Sequence, residues 1–196
     1  AASDVYKRQL LMTHIDTETH TLYSGTATGF LDATATAGLT STTLGSTGFG
    51  TALADLDNDG QPDLVVANGH VRQRSGARTY AERNALFEND AGTFRDRCAA
   101  AVFCARPEIS RGLAAVDLDA DGDLDIVVSD ASGSVRIWRN TLVPGPRAQW
   151  AQLRVIDSRR DRDAIGAVVE VRAAGRSQRQ PVLHTSSYMT STDATL

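Results

Sequence analysis

The chain has 196 residues, of which 41% are hydrophobic, and this is enough for one large or two small domains with an apolar core. Its net charge of −4 is modest, and it contains no basic stripe with interleaved aromatic residues, so the sequence gives no indication of nucleic-acid binding. The longest apolar runs are far too short to span a bilayer.

The first nine residues differ from the rest in composition. The segment Asp4-Val-Tyr-Lys-Arg-Gln9 resembles a translated transposase adaptor from sequencing-library preparation, and Lys7 is the only lysine beside 19 arginines. We therefore expect residues 1–9 to lie outside the fold, and the native part, a piece of a longer protein, to begin near Leu10.

Three short segments come next, and each has the length and composition of a strand. They are Leu10-Leu-Met-Thr-His14, Leu22-Tyr-Ser-Gly25 and Thr28-Gly-Phe30-Leu-Asp32. In this order they match the strands that follow each of two acidic loops later in the chain. We interpret them as a partial copy of the repeat that contains those loops.

Two acidic loops of nine residues, 62 positions apart, are the most informative feature. Each reads D-x-D-x-D-G-x-x-D and precedes an apolar run; the loops are Asp55-Leu-Asp57-Asn-Asp59-Gly60-Gln-Pro-Asp63 and Asp117-Leu-Asp119-Ala-Asp121-Gly122-Asp-Leu-Asp125. Carboxylates at positions 1, 3, 5 and 9 can surround one hard cation, and glycine at position 6 permits a sharp bend. The pattern predicts two calcium sites.

The acidic motif has two other possible interpretations, an EF-hand and a metal-free surface turn. An EF-hand needs a bidentate acid at position 12 and flanking helices, whereas position 12 is Val66 or Val128 and the flanks are β-branched. A metal-free surface turn would crowd like charges with nothing to neutralise them. We therefore favour calcium.

The flanks of the loops extend the repeat to four strands. An incoming strand ends at Asp55 or Asp117, an outgoing strand follows the loop, and an aromatic strand then ends in asparagine, in Leu86-Phe-Glu-Asn89 and Ile137-Trp-Arg-Asn140. A phenylalanine strand, Ala91-Gly-Thr-Phe94-Arg-Asp96, completes the unit. Four strands every ~60 residues are typical of a β-propeller blade. We predict an all-β fold, with two to three blades of a partial propeller over residues 10–140.

The two cysteines, Cys98 and Cys104, lie six positions apart. A local disulfide would suit an exported protein, and two buried thiols would serve equally well as small apolar residues. The sequence alone leaves both possibilities open.

The last part of the chain predicts a separate small β module. Residues 141–148 contain Pro144-Gly-Pro146 and are interpreted as a linker. In residues 149–196 apolar residues alternate at Leu153 and Val155, and again at Val169 and Val171. We expect short strands there, in an incomplete module.

The remaining polar candidates have weaker patterns. The four histidines, His14, His20, His70 and His184, share no metal-ligand spacing, and Ser186, Ser187 and Tyr188 lie in no nucleophile elbow. The cluster Arg159, Arg160 and Arg162 is typical of a solvated loop. We therefore expect no catalytic activity from this chain.

The loops, with Gly48-Phe49-Gly50 and Arg111-Gly112 before them, resemble the FG-GAP or VCBS repeat of integrin-type propellers. The final segment resembles the ASPIC/UnbV domain that follows such repeats in bacterial exported proteins and in cartilage acidic protein. Trp150-Ala-Gln-Leu-Arg-Val155 and Asp161-Arg-Asp-Ala-Ile-Gly-Ala167 carry that likeness, although Asp161 replaces a more usual asparagine.

The resemblance implies which residues hold calcium. The side-chain ligands would be Asp55, Asp57, Asp59 and Asp63 in the first loop and Asp117, Asp119, Asp121 and Asp125 in the second, with the carbonyls of Gln61 and Asp123. The Asp123 side chain would then be solvated.

The resemblance also implies a role. We expect a secreted, periplasmic or cell-surface protein with structural calcium, which binds a protein or a glycan as a scaffold or adhesion-like module. The alternative is an accessory propeller of a secreted hydrolase or lyase whose catalytic residues lie outside this chain.

Overall fold

The computed structural model describes residues 9–71, 80–142, 150–173, 176–184 and 187–195. Within these ranges the fold is all-β, as predicted, with small antiparallel sheets of which none is closed. No helix in the described ranges is long and apolar enough to cross a membrane.

The first sheet contains the three strands expected for the partial repeat. Its order is β1 (Gln9–Met12), β2 (Thr21–Gly25) and β3 (Phe30–Asp32), and a one-turn helix α1 (Thr40–Thr43) follows it. Residues 1–8 of the predicted adaptor segment lie outside the described part, whereas Gln9 pairs with Ser24 at the start of β1.

The second sheet has four strands, which confirms the predicted unit of the repeat. Its order is β4 (Gly48–Ala54), β5 (Asp63–Asn68), β7 (Ala85–Asp90) and β8 (Thr93–Asp96). Every residue of β5 is buried, because alternate side chains enter two different cores. Leu64 and Val66 pack toward the first sheet, and Val65 and Ala67 pack toward the third.

The third sheet repeats the second with three strands among the described residues, β10 (Ser110–Val116), β11 (Asp125–Asp130) and β12 (Val135–Trp138). A separate two-stranded pair is formed by β6 (Glu82–Arg83), which lies between β5 and β7 in sequence, and β9 (Pro107–Glu108), which precedes β10. A short 3₁₀ helix, Val102–Cys104, brings Phe103 edge-on to Trp138 in the shared core.

Cys98 and Cys104 form a disulfide, which decides between the two alternatives left open by the sequence. Cys104 is buried in the core between the second and third sheets, and Cys98 packs against that core from its margin. The cross-link therefore fastens the connection that leads from one sheet to the next.

The second and third sheets touch through their first strands. A Cβ atom added to Gly50 of β4 would lie 2.4 Å from the backbone nitrogen of Leu113 in β10. The register of each first strand also shifts at this level, between Gly48 and Thr51 in β4 and between Ser110 and Leu113 in β10. Sheets that meet at their first strands are arranged as neighbouring blades of an open propeller.

The C-terminal part has two small hairpins, β13 (Ile156–Asp157) with β14 (Arg162–Asp163) and β15 (Val168–Ala173) with β16 (Arg176–Pro181). The alternation at Val169 and Val171 thus lies in a strand. Residues 150–155, which include Leu153 and Val155, form no strand. Residues 150–154 are exposed there, so no core covers the apolar positions of this stretch. Of the predicted linker, residues 143–148 lie outside the described ranges.

Candidate metal centres

Both acidic loops connect the first strand of a sheet to the second. The first loop joins β4 to β5, and the second joins β10 to β11. Two residues in each loop adopt left-handed backbone: Asn58 and Gly60 in the first, with φ of 57° and 87°, and Ala120 and Gly122 in the second, with φ of 59° and 91°. The glycine at position 6 is therefore required for the bend, as the sequence predicted.

The first aspartate of each loop closes the turn. The Asp55 carboxylate accepts hydrogen bonds from the backbone N–H groups of Asp59 and Gly60, at 3.1 and 2.8 Å. Asp117 accepts the same two bonds in the second loop, at 3.3 and 3.0 Å. The two loops thus share these turn-closing bonds despite different residues at positions 4, 7 and 8.

The last aspartate of each loop is anchored by two backbone N–H groups. Buried Asp63 accepts one bond from Leu56 at 3.1 Å and one from Asn89 at 2.9 Å. Asp125 likewise accepts one bond from the Leu118 N–H of its own loop at 3.3 Å and one from the Asn140 N–H at 2.8 Å. The carboxylate at position 9 is therefore fixed by its own loop and by an asparagine at or just beyond the end of the third strand.

The roles of Asn89 and Asn140 were missed by the sequence analysis. In both copies the aromatic strand ends in asparagine, but the pattern of a single strand predicts no function for that residue. Asn89 also donates its side-chain amide to the Pro62 carbonyl at 2.9 Å, whereas Asn140 reaches the Leu56 carbonyl of the neighbouring loop at 2.7 Å. The recurrence of asparagine beside each loop was the signal that could have identified them.

Three of the four predicted carboxylates come together in each loop. In the described residues, the groups whose ligand oxygens all lie within 4.8 Å of one another are Asp55, Asp57 and Asp63 in the first loop and Asp117, Asp119 and Asp121 in the second. Asp59, the fourth candidate of the first loop, accepts bonds from the backbone and side chain of Gln61, at 2.7 and 2.9 Å. Asp125 belongs to no such group, and its oxygens accept the two backbone bonds.

The electrostatics of the first loop fit a divalent cation. Burial raises the pKa of both Asp55 and Asp63 to about 6, although backbone N–H groups bonded to each carboxylate oppose the shift. Burial also raises the pKa of Asp57, and the charge of Asp59 adds to it. When these neighbouring carboxylates are ionised they are poorly solvated and repel one another, and a bound hard cation would offset both effects. The donor set is made only of oxygen atoms, which is what Ca²⁺ and Mg²⁺ bind.

The two loops are in direct contact. The Asn58 side-chain amide of the first loop donates to the Gly122 carbonyl at 3.3 Å and to the Asp123 carboxylate at 2.6 Å. The Asp123 side chain, which was expected to be solvated, is partly exposed and also accepts this bond from the neighbouring blade. The amide of Asn58 therefore links the two loops directly.

The other polar candidates have structural partners. His14 bonds Glu18 and Thr21 through its two ring nitrogens, while buried His20 accepts a bond from the His14 backbone at its Nδ1 atom. Burial lowers the pKa of His20 to about 4, and the charge of His14 adds to the effect. The Nδ1 atom of His70 lies 3.5 Å from the carboxylate of Glu82.

The C-terminal candidates pack against the blades or line a small cavity. The Ser187 hydroxyl accepts the Thr51 N–H at 2.9 Å, and the Tyr188 ring lies edge-on to Phe49, while Ser186 lies outside the described residues. Two of the three clustered arginines line a cavity of about 300 Å³ together with acidic side chains and His184; its lining is Asp157, Arg160, Arg162, Asp163, Ala164, Ile165 and His184. The mixed charge there indicates no single class of ligand.

Comparison with protein families agrees with this architecture. A model described as FG-GAP repeat matches residues 47–80, which include β4, the first acidic loop and β5. A model described as ASPIC and UnbV matches residues 157–196. No curated protein matches the chain. FG-GAP repeats are typical of extracellular or exported ligand-binding proteins, and neither family indicates nucleic-acid binding.

Proposed function

We propose that this chain, which carries an FG-GAP repeat followed by an ASPIC and UnbV domain, is a calcium-stabilised extracellular scaffold that binds a protein or glycan ligand. The observation that carries the proposal is the pair of acidic loops. Both adopt the same backbone, both gather three carboxylates, and both join the same two strands of a blade.

Calcium suits these loops better than magnesium does. Calcium accepts six to eight oxygen ligands in a flexible shell, whereas magnesium demands a small, near-ideal octahedron and keeps several of its waters. Each loop offers several carboxylates and the carbonyl at position 7, all on a segment whose conformation is set by its own hydrogen bonds. The residues that would hold calcium are Asp55, Asp57, Asp59, Gln61 and Asp63 in the first loop and Asp117, Asp119, Asp121, Asp123 and Asp125 in the second.

The ion would act on stability rather than on chemistry. Asp55 follows β4 directly and Asp63 begins β5, so one cation between them ties the two strands together. For a site with a Kd of about 10⁻⁴ M, typical of the tighter extracellular calcium modules, about 1 mM calcium stabilises the fold by about 1.4 kcal/mol. That is a substantial part of the stability of a marginal domain.

Two further observations support an extracellular binding role. The disulfide between Cys98 and Cys104 fits an oxidising compartment. The histidines of the blades are engaged in packing or in hydrogen bonds with neighbouring polar groups, so we assign the chain a binding role and no catalytic activity. Turnover of a glycan, ester or peptide substrate by the purified chain would contradict that assignment.

Calcium titration and thermal melts test the proposal. We expect calorimetry to detect calcium binding, and the melting temperature in about 1 mM calcium to exceed that in chelator by about 3–6 °C for each site of this affinity. Magnesium at the same concentration should give a much smaller shift. Asp57→Ala and Asp119→Ala should each remove the contribution of one loop.

A matched control is Asp90→Ala, which removes an exposed carboxylate that pairs with Arg95 outside both loops. This variant should keep the full calcium response. A chain that binds no calcium by calorimetry, and that melts at the same temperature in calcium and in chelator, would refute the calcium part of the proposal.

A further inference from the structure

The two loops differ in the charge placed beside them. Asn89 and Asn140 occupy equivalent positions, since each donates its backbone N–H to the last aspartate of its loop. The residues that precede them are therefore equivalent as well. They are Glu88 in the first blade and Arg139 in the second, so the same position carries opposite charges.

In the first blade the equivalent position is held by an acid, Glu88. Its carboxylate forms a two-pronged ion pair with Arg97, at 2.7 and 2.9 Å. The first loop thus lacks a cationic side chain at this position and has an additional acid there.

Arg139 brings a cation onto the second loop. Its guanidinium contacts the Asp119 carboxylate and lies 3.3 Å from an oxygen of Asp121. These are two of the three carboxylates gathered in that loop. A guanidinium in this position satisfies acceptor oxygens and supplies positive charge, which are the two things that a metal ion would provide.

We propose that Arg139 is a tethered counter-ion that competes with calcium for the second loop, so that the first loop is the tighter site and the second the weaker one. The inference rests on the proposed function, since it concerns the affinity of the same loops. To bind calcium, the second loop must release the guanidinium from two carboxylates, whereas the first loop has no cation to displace at the equivalent position.

The size of the effect follows from its geometry. Arg139 is largely exposed, so solvent weakens its pairing with each carboxylate. Its positive charge would nevertheless repel a divalent ion bound by the same carboxylates, because the two charges would be close together. We expect removal of the charge to raise the calcium affinity of the second loop about fivefold to tenfold.

The experiment isolates each loop in the full chain and uses calcium alone as the probe. Asp57→Ala leaves the second loop as the remaining site, and Asp119→Ala leaves the first. By calorimetry, the first loop should bind more tightly than the second. Adding Arg139→Gln to the Asp57→Ala protein should raise the affinity about fivefold to tenfold, while Arg139→Lys, which keeps the charge, should raise it less.

Two controls separate competition from a merely structural role. Arg95→Gln removes an equally exposed arginine that pairs with Asp90, and it should leave both affinities unchanged. In chelator Arg139→Gln should lower the melting temperature, because the carboxylates lose their counter-ion, and calcium should restore it. A purely structural arginine would lower the melting temperature equally with and without calcium.

The outcomes distinguish this inference from the proposal on which it rests. Absence of calcium binding by the unsubstituted chain would overturn both. Two sites of equal affinity, with the second loop unchanged by Arg139→Gln, would overturn the inference and leave the proposed calcium scaffold in place.

Discussion

Replacement of Gly50 by alanine should separate the second and third sheets. The added Cβ would lie 2.4 Å from the Leu113 nitrogen, 2.7 Å from the Arg111 carbonyl oxygen and 2.7 Å from the Leu113 Cβ. All three atoms are fixed by the backbone of β10, so no rotamer change can make room. Relief requires β4 and β10 to move apart by roughly 1 Å, and overpacking of this kind costs about 3 kcal/mol.

For a chain of this length, that loss lowers the melting temperature by about 6–12 °C. Gly29→Ala is the matched control, because nothing lies within 4 Å of its added Cβ and the backbone there is not left-handed. That control should change the free energy of unfolding by less than about 0.5 kcal/mol. Scanning calorimetry in chelator and in calcium measures both variants. If Gly50→Ala melts within a degree of the parent chain, β4 and β10 are not in contact and the blade arrangement is wrong.

Two further predictions concern the disulfide and the acidic loops. Replacing Cys98 and Cys104 together by alanine should lower the free energy of unfolding by about 2 kcal/mol, because a loop of this length is no longer closed in the unfolded chain. Denaturant unfolding checks this, and reductant should destabilise the parent chain but not the variant; a parent indifferent to reductant would count against the cross-link. Without calcium, folding raises the pKa of Asp55 and of Asp63 from 3.8 to about 6, so the folded chain binds protons more tightly than the unfolded chain does. Protonation of these two carboxylates therefore stabilises the fold fully below about pH 4, and this stabilisation is lost as the pH rises through about 6. Calcium needs the same carboxylates ionised, so the melting temperatures in calcium and in chelator should converge as pH falls from about 7 to about 5; a calcium-induced shift that stays constant over this range would contradict the assignment.

The conformation of the acidic loops could be predicted from the sequence because their information is local. Nine consecutive residues supply the carboxylates and the glycine that bends the chain, and the structure places Gly60 and Gly122 in the left-handed conformation that the motif requires. The strands on either side were also predictable, because the incoming and outgoing runs recur around both loops. Repetition allowed each copy to support the assignment of the other.

The parts that escaped prediction depend on contacts distant in sequence. The Asn58 amide reaches Asp123 across 65 positions, and the Ser187 hydroxyl reaches Thr51 across 136. No periodicity within one segment encodes either contact. The strand suggested by Leu153 and Val155 fails for a related reason, because alternation produces a strand only where another layer covers its apolar side, and residues 150–154 are exposed.

The placement of the loops gives the proposed ions an influence beyond the hairpins that hold them. Near the contact of β4 and β10 the two sheets are held together by close backbone packing at Gly50 and by the hydrophobic core that they share. At the loop end, the blades are joined by hydrogen bonds from Asn58 to Asp123 and from Asn140 to the Leu56 carbonyl. Both bonds involve residues within or beside the acidic loops, so the conformation of the loops governs this second attachment. An ion that orders either loop would therefore stabilise the boundary between blades as well as its own blade.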